Sequence, residues 1–197
     1  MRKKQYLFII LGFIICFLIF ENNSKVQHFI FKATLKTHAI PEQYIPIYQS
    51  AADEFNIPWE LLASVHRVET IFSTMDPLVS PVGAVGHFQF MPRTWVGWSH
   101  PGSELGLIDE NIDITDITLI ESHQGYGVDA SGNGIADPFD IEDATYAAAK
   151  YLADHGAAKG DLNKALFSYN QSEEYVEEVL FFYEAYIQHY ELIQLPN

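Results

Sequence analysis

The sequence predicts a mostly α-helical globular domain, and three observations carry this prediction. Apolar side chains recur with a helical period of about 3.6 residues along several segments. Asp and Ser residues stand where helix N-termini need caps. Stretches rich in Gly and Pro, at residues 77–86 and 101–106, separate the helical segments. With 197 residues, 48% of them apolar, the chain is long enough for one such domain with a core, with or without a membrane anchor.

Two helices are predicted in the first half of the domain. Residues 42–56 place apolar or aromatic side chains at positions 44, 45, 48, 52 and 55, which fits the helical period. Pro58 stands where a helix can begin, because the first turn of a helix does not need the N–H that Pro lacks. The apolar spacing that follows predicts a helix to about Thr70. Residues 80–90 leave room for a small β-hairpin.

Three further helices are predicted in the second half, each with a start or stop signal. The Ala-rich segment that begins at Asp140 ends before Gly156, which is typical of a helix stop. Asp161 can cap a short helix to Tyr169, and Ser172 can cap the last helix. The apolar stripe of that last helix is expected to contain Val176, Val179, Leu180, Tyr183, Ile187 and Tyr190.

The start of the chain predicts a membrane anchor. Basic residues at positions 2–4 precede an apolar run from Tyr6 to Phe20, which is typical of a secretory signal or an uncleaved anchor. No small-residue cleavage site follows, which favours a retained signal-anchor at residues 1–20. The run spans only about 22 Å, short of the ~30 Å bilayer core, so a signal that is cleaved to release a secreted protein stays open as the alternative.

The distribution of charge supports two environments for the chain. Residues 1–40 hold six of the eleven basic residues, and the formal net charge of the whole chain is −15. Because the positive end of an anchor stays in the cytoplasm, residues 21–40 are expected to form an external stalk and residues 41–197 an external domain. The acidic domain excludes a nucleic-acid binder, which would show a basic patch. A single Cys excludes a disulfide framework and a Cys-rich zinc site.

Glu69 is the first candidate for acid–base chemistry. It follows Leu62 by seven residues and Val65 by four, so it shares their helix face. Burial raises the pKa of a carboxyl group, and such a group keeps its proton near neutral pH, as a general acid must. On spacing alone the simpler interpretation is an ordinary Glu at a helix end, exposed or paired with His66 or Arg67.

Four ordered motifs change that balance. They are Glu69-Thr70-Ile71-Phe72, the segment from Ser80 to Trp95, Ala149-Lys150-Tyr151-Leu152 and Ala165-Leu166-Phe167-Ser168-Tyr169-Asn170-Gln171. Together they resemble the lytic transglycosylases of the lysozyme-like superfamily, and the resemblance covers about residues 55–190. The segment Gln89-Phe90-Met91-Pro92-Arg93-Thr94-Trp95 is most similar to the transglycosylase B branch. Thr70 departs mildly from that pattern, which commonly has Ser.

The resemblance implies a lysozyme-like helical fold of the goose-type/transglycosylase kind and a single catalytic acid/base, Glu69. Ser80, Gln89, Tyr169 and Asn170 match residues that line the saccharide groove of the family. Independently, amide side chains can both donate to and accept from sugar hydroxyls, and aromatic rings such as Phe90 offer a flat apolar surface to a pyranose. Ordinary core packing explains Phe90 and Tyr169 equally well when each is taken alone.

The resemblance also implies a substrate and a mechanism. Peptidoglycan glycan strands would be cut between N-acetylmuramic acid and N-acetylglucosamine on the outer side of a bacterial membrane, as Glu69 protonates the bond and then assists closure of a 1,6-anhydro ring. Most glycosidases instead use two carboxylates, and the next acid after Glu69 is Asp76, with none following until Glu104. A hydrolytic muramidase that uses Asp76 or a bound water, and a catalytically inactive wall-binding or assembly module, remain the alternatives.

Residues 129–140 predict a cation-binding loop. Oxygen-bearing groups alternate along it, and Gly134 stands at the sharp turn of an EF-hand-like loop. The loop resembles the EF-hand-like insertion of the transglycosylase B branch, where a later Asp closes the site. The expected ligands of a structural Ca²⁺ are Asp129, Ser131, Asn133, the Ile135 carbonyl and Asp143, whereas catalysis is expected to need no cofactor. A Gly-Asn turn with Asp140 or Asp143 capping the next helix is the alternative.

Overall fold

The protein is mostly helical, as the sequence predicts, in a computed structural model that describes residues 30–195. Residues 30–34 are helical and belong to a segment separate from the compact unit, which begins at Thr37. The α-helices of the compact unit are α1 (Ile45–Phe55), α2 (Trp59–Thr70), α3 (Pro92–Val96), α4 (Ile117–His123), α5 (Ile141–Asp154), α6 (Leu162–Tyr169) and α7 (Glu173–Gln188). Single 3₁₀ turns cover Glu42–Tyr44 and Ala157–Lys159.

Helix α2 is the central helix of the unit. It packs against α1, α5 and α7, while α5 also packs against α1 and α6. Leu61, Leu62 and Val65 on α2 are fully buried, and so are Ala63 and Ser64, because neighbours cover this helix on several faces. Glu69 therefore lies at the end of a helix that its neighbours hold in place.

The predicted helix starts are confirmed by their caps. The Asp140 side chain accepts hydrogen bonds from the backbone N–H groups of the first turn of α5. Asp161 accepts one from Lys164 in α6, and Ser172 accepts one from Tyr175 in α7. Pro58 directly precedes α2, as predicted. These signals could be predicted because a cap depends on a few neighbouring residues.

A two-stranded parallel sheet closes the unit. Strand β1 (Ala39–Pro41) pairs with β2 (Glu191–Ile193), with Ile40 opposite Leu192. The buried guanidinium of Arg67 donates to the carbonyl oxygens of Thr37 and Ala39, both at 3.3 Å, and to the Tyr186 hydroxyl at 3.1 Å. Residues 37–40, which the sequence assigns to the stalk, thus lie inside the compact unit.

The segment predicted as a hairpin is only partly β-like. Isolated antiparallel bridges join Val79 to Val85 and Val85 to Phe90, and no regular strand is assigned between residues 80 and 90. Within residues 30–195 no helix is long and apolar enough to cross a membrane. The predicted anchor at residues 1–20 lies outside the described residues.

Candidate active site

A cavity of about 750 Å³ opens beside the C-terminal end of α2. Its walls come from the end of α2, the segment 80–91, the loop after α3, and the end of α6. The lining residues are Glu69, Ser80, Val82, Ala84, Gln89, Phe90, Met91, Thr94, Trp98, Glu104, Leu105, Tyr151, Ser168, Tyr169, Asn170 and Gln171. The fold thus brings Glu69 and all five residues predicted to contact a saccharide to one cavity.

Glu69, at the end of α2, contributes a half-buried carboxyl group to the cavity lining. Its Oε1 accepts a hydrogen bond of 2.7 Å from the hydroxyl of Tyr175, at the start of α7. Burial raises the pKa of Glu69 to about 7, the Tyr175 hydrogen bond opposes this rise, and the negative charge of Glu178 adds to it. Near neutral pH the group therefore exists in both its acid and its base form, as acid–base catalysis requires.

Aromatic rings form the floor of the cavity near Glu69. The Tyr169 ring lies 5.6 Å from the Phe90 ring and 5.2 Å from the Tyr151 ring, measured between centroids. Its hydroxyl donates to the carbonyl oxygen of Phe88 at 2.8 Å. Phe90 is only 3% exposed, so it is a core residue whose edge borders the cavity. The cluster therefore belongs to the core and also borders the cavity.

Polar side chains also line the cavity. Gln89 has a left-handed backbone with φ of 50°, and its Nε2 donates to the carbonyl oxygens of Gly86 at 2.8 Å and Leu78 at 3.4 Å. Both bonds use the amide nitrogen, so Oε1 is available to accept a bond from a ligand hydroxyl. The Ser80 Oγ accepts a hydrogen bond from the Ala84 N–H and keeps its own proton to donate. Asn170 is exposed at the rim.

Helix α2 ends in an unusual left-handed turn that begins two residues after Glu69. Ile71, Phe72 and Ser73 have φ values of 51°, 56° and 66°. Left-handed backbone costs an L-residue with a Cβ roughly 1–2 kcal/mol, and it is rare for a β-branched residue such as Ile71. The fully buried Phe72 ring and several side-chain hydrogen bonds hold this turn in place.

The loop after α3 forms a wall that the sequence did not predict. Arg93 donates to the carbonyl oxygens of Trp98, His100 and Ser103 at 2.9, 2.9 and 3.1 Å, and its guanidinium lies 4.7 Å from the Trp98 ring. One planar cation thus ties three points of the loop together. The loop carries Trp98, Glu104 and Leu105, of which Leu105 is 79% exposed.

Among residues 30–195, the cavity lining contains one further acid besides Glu69. Glu104 lies on the Arg93-held wall and is exposed, whereas Asp76 is exposed and is not among the described residues that line the cavity. Glu104 is therefore the first candidate for a second carboxylate beside Glu69. It lies 35 residues beyond Glu69 in the sequence, and no motif marks it.

The predicted cation loop is closed by hydrogen bonds to two carboxylates. Asp143 is fully buried, and it accepts bonds from the backbone N–H groups of Ala130, Ser131 and Asp137 at 2.8, 2.9 and 2.9 Å. Asp129 accepts bonds from the N–H groups of Asn133 and Gly134, both at 3.0 Å. The other predicted ligands, Ser131, Asn133 and Ile135, are exposed residues of the same loop.

No cluster of three or more His, Cys, Asp or Glu side chains in the described part of the chain is arranged to hold a metal ion. The predicted set contains only two acids, because its other donors are Ser131, Asn133 and a backbone carbonyl. The Asp140 side chain caps α5, as the alternative interpretation expects, and this cap is compatible with either interpretation of the loop.

Comparisons of the chain with protein-family models, curated proteins and solved structures find no match.

Proposed function

We propose that this protein is a lytic transglycosylase that cleaves the β-1,4 bond between N-acetylmuramic acid and N-acetylglucosamine in peptidoglycan, with Glu69 as its single acid/base. The observation that carries the proposal is one half-buried carboxyl group, with a pKa raised to about 7, in a cavity lined by all five residues that the motifs mark as saccharide contacts. A volume of about 750 Å³ is in the range of specific ligand sites.

The environment of Glu69 suits a group that first gives and then takes a proton. Tyr175 donates to Oε1, so Oε2 is the oxygen that carries the transferable proton. Protonated Glu69 gives this proton to the glycosidic oxygen as the bond from C1 to that oxygen breaks. The C6 hydroxyl of the muramoyl residue then attacks C1, and its proton goes to the Glu69 carboxylate. The products are a 1,6-anhydro end and a free 4-hydroxyl, and the enzyme regains its proton.

The remaining cavity residues would bind and orient the strand. Gln89 Oε1, the Ser80 hydroxyl and the exposed Asn170 amide can exchange hydrogen bonds with sugar hydroxyls and acetamido groups. The faces of Tyr169 and Phe90 can pack against pyranose rings. Holding the C6 hydroxyl close to C1 makes the ring closure intramolecular, and this proximity lowers the barrier for attack by the substrate itself.

Hydrolysis is the second candidate, and Glu104 is the observation that favours it. A second carboxylate in the same cavity could activate a water molecule, as in two-carboxylate glycosidases. The absence of turnover, in a protein that binds the wall, would instead identify a wall-binding or assembly module.

The location and the cation belong to the same proposal. The basic residues before the apolar run favour a signal-anchor at residues 1–20, which would place the domain on the outer side of a bacterial cell membrane, where peptidoglycan lies. Asp129, Ser131, Asn133, Ile135 and Asp143 would hold one structural Ca²⁺ near the start of α5. Neither of these features takes part in the proton transfer.

Mass spectrometry of digested peptidoglycan tests the proposal. The wild-type chain should release fragments with 1,6-anhydro ends, whereas reducing ends would identify a muramidase. Glu69→Gln should lower the rate by about 10²–10⁴-fold, since it keeps the shape but removes the proton donor. Asp76→Asn is the matched carboxyl-to-amide control outside the cavity, and it should retain activity. Loss of cutting in folded Asp76→Asn or Glu104→Gln would support the hydrolytic candidate, and wild-type turnover by folded Glu69→Gln would refute the acid/base assignment.

A further inference from the structure

We propose that Ser73, which lies outside the described lining of the cavity, is a positioning residue for Glu69. Its hydroxyl bridges two imidazoles and thereby locks the left-handed turn that ends α2. This inference rests on the proposed function, because it concerns the placement of the proposed acid/base. The geometry that carries it is independent of any substrate.

A continuous chain of short hydrogen bonds passes through Ser73. The Tyr48 hydroxyl lies 2.6 Å from His66 Nδ1, and His66 Nε2 lies 2.6 Å from Ser73 Oγ. Ser73 Oγ lies 2.6 Å from His87 Nδ1, and His87 Nε2 lies 2.8 Å from the carbonyl oxygen of Phe139. The chain runs from α1 through α2 and the left-handed turn to the segment just before α5.

Only one arrangement of protons satisfies this chain with both imidazoles neutral. The Phe139 carbonyl can only accept, so His87 carries its proton on Nε2 and accepts at Nδ1. The Ser73 hydroxyl must then donate to His87 and accept from the Nε2–H of His66. His66 in turn accepts the Tyr48 proton at Nδ1. Burial lowers the pKa of both imidazoles, which favours these neutral forms.

The bridge connects the two segments that carry Glu69 and Gln89. The Thr70 hydroxyl accepts from the Ser73 N–H at 3.0 Å and donates to the carbonyl oxygen of His87 at 2.9 Å, so a second link runs parallel to the first. Thr70 directly follows Glu69, and His87 lies two residues before Gln89. Ser73 therefore helps to set the spacing between two segments that line the cavity.

The left-handed turn needs such an anchor. Three successive residues adopt a backbone that L-residues disfavour, and the turn would relax toward another conformation if its contacts were lost. Because Glu69 stands two residues before this turn, relaxation would move its carboxyl group relative to the Tyr175 hydroxyl on α7. Loss of the bridge should thus change the properties of Glu69 without removing any group that contacts substrate.

Ser73→Ala in the full-length chain tests this inference, with Tyr48→Phe as the matched control. The first variant removes both bonds of the bridge, whereas the second removes one hydroxyl from the same chain but leaves the Ser73 bridge intact. Carboxyl ¹³C NMR should show that Ser73→Ala moves the pKa of Glu69 by at least about half a unit, while Tyr48→Phe leaves it in place. A wild-type titration of Glu69 in folded Ser73→Ala would overturn the inference.

Two further measurements separate this inference from the proposed function. Long-range ¹H–¹⁵N NMR of the wild type should show neutral Nε2–H tautomers for both His66 and His87, and an Nδ1–H tautomer at either would contradict the bridge. If the wild type cuts peptidoglycan, Ser73→Ala should lower kcat about 10- to 100-fold with KM nearly unchanged, and Tyr48→Phe should retain kcat. If the wild type does not cut, the proposed function fails and the Glu69 titration decides the inference.

Discussion

Replacing Glu69 by Gln should change how the stability of the protein depends on pH. Burial raises the pKa of Glu69 from 4.5 to about 7 in the folded state. Below pH 4.5 the group is protonated in both states. Between these values the folded state holds a proton that the unfolded state has lost, so the contribution of Glu69 to stability falls as pH rises and is lost once pH passes about 7.

The size of the effect follows from that shift. Each pKa unit corresponds to about 1.4 kcal/mol, so a rise from 4.5 to about 7 gives at most about 3.5 kcal/mol across this range. Glu69 is half-buried, so screening by solvent makes this an upper value. Gln does not titrate. The free energy of unfolding of Glu69→Gln minus that of the wild type should therefore increase by up to about 3.5 kcal/mol between pH 4 and 8.5.

Urea unfolding at several pH values measures this difference. Other titrating groups are shared by the two chains, so their contributions cancel in the subtraction. The matched control is Glu184→Gln, which changes an exposed Glu on α7. Its free energy of unfolding should differ from that of the wild type by a nearly constant amount across this pH range. A Glu69→Gln difference that stays constant with pH would refute the raised pKa, and with it the electrostatic argument for the acid form.

Three further predictions concern the surroundings of Glu69, the cation loop and the cavity wall. Tyr175→Phe removes a hydrogen bond that lowers the pKa of Glu69, so the alkaline limb of the pH–rate profile should move to higher pH. Glu178→Gln removes a charge that raises this pKa, so the limb should move to lower pH. Shifts of both variants in the same direction would contradict the assigned causes. Millimolar Ca²⁺ should raise Tm, since a ligand at a hundredfold excess over Kd stabilises the folded state by about 2.7 kcal/mol. Asp129→Ala should abolish this rise in Tm. Identical melting of metal-free and calcium-loaded protein would leave only the capped-turn interpretation of the loop. Arg93→Lys keeps the charge but loses the three hydrogen bonds that hold the loop carrying Trp98. KM should therefore rise by a larger factor than kcat falls. Unchanged kinetics would show that this wall of the cavity does not contact the glycan strand.

The sequence by itself determined the features that depend on neighbours along the chain. Asp140, Asp161 and Ser172 could be recognised as caps because a cap bonds N–H groups two or three residues away. The apolar period likewise located α1 and α2. The six motif residues of the cavity were found by their order in the sequence, although only the fold brings them to one place.

Short elements escaped sequence prediction because they contain too few residues to show a period. Helix α3 has five residues, and each strand of the parallel sheet has three. The strands are also separated by most of the chain, so local propensity carries no information about their pairing. The hairpin expected near residues 80–90 is reduced to isolated bridges. In the same segment, Gly86 packs against Pro138 so closely that no Cβ would fit, a tertiary contact that the local sequence does not indicate.

Helix α7 shows where a local pattern became ambiguous. It is apolar on more than one face, and the predicted stripe continued to Ile187 and Tyr190, which are 52% and 38% exposed. The structure buries Val176 and Val179 of that stripe, and it also buries Tyr175, which bonds Glu69, and Tyr186, which bonds Arg67. Only tertiary contacts with α2 could choose between the two faces.

The chemistry of the site was decided by contacts between residues distant in the sequence. Tyr175 meets Glu69 across 106 positions, and the spacing of neither residue indicates the other. Ser73 and His87 meet through a turn whose left-handed backbone no propensity favours. The sequence thus identified Glu69 as the candidate acid, whereas the pKa that suits it to the task arises from burial and hydrogen bonding, which exist only once the distant segments have packed together.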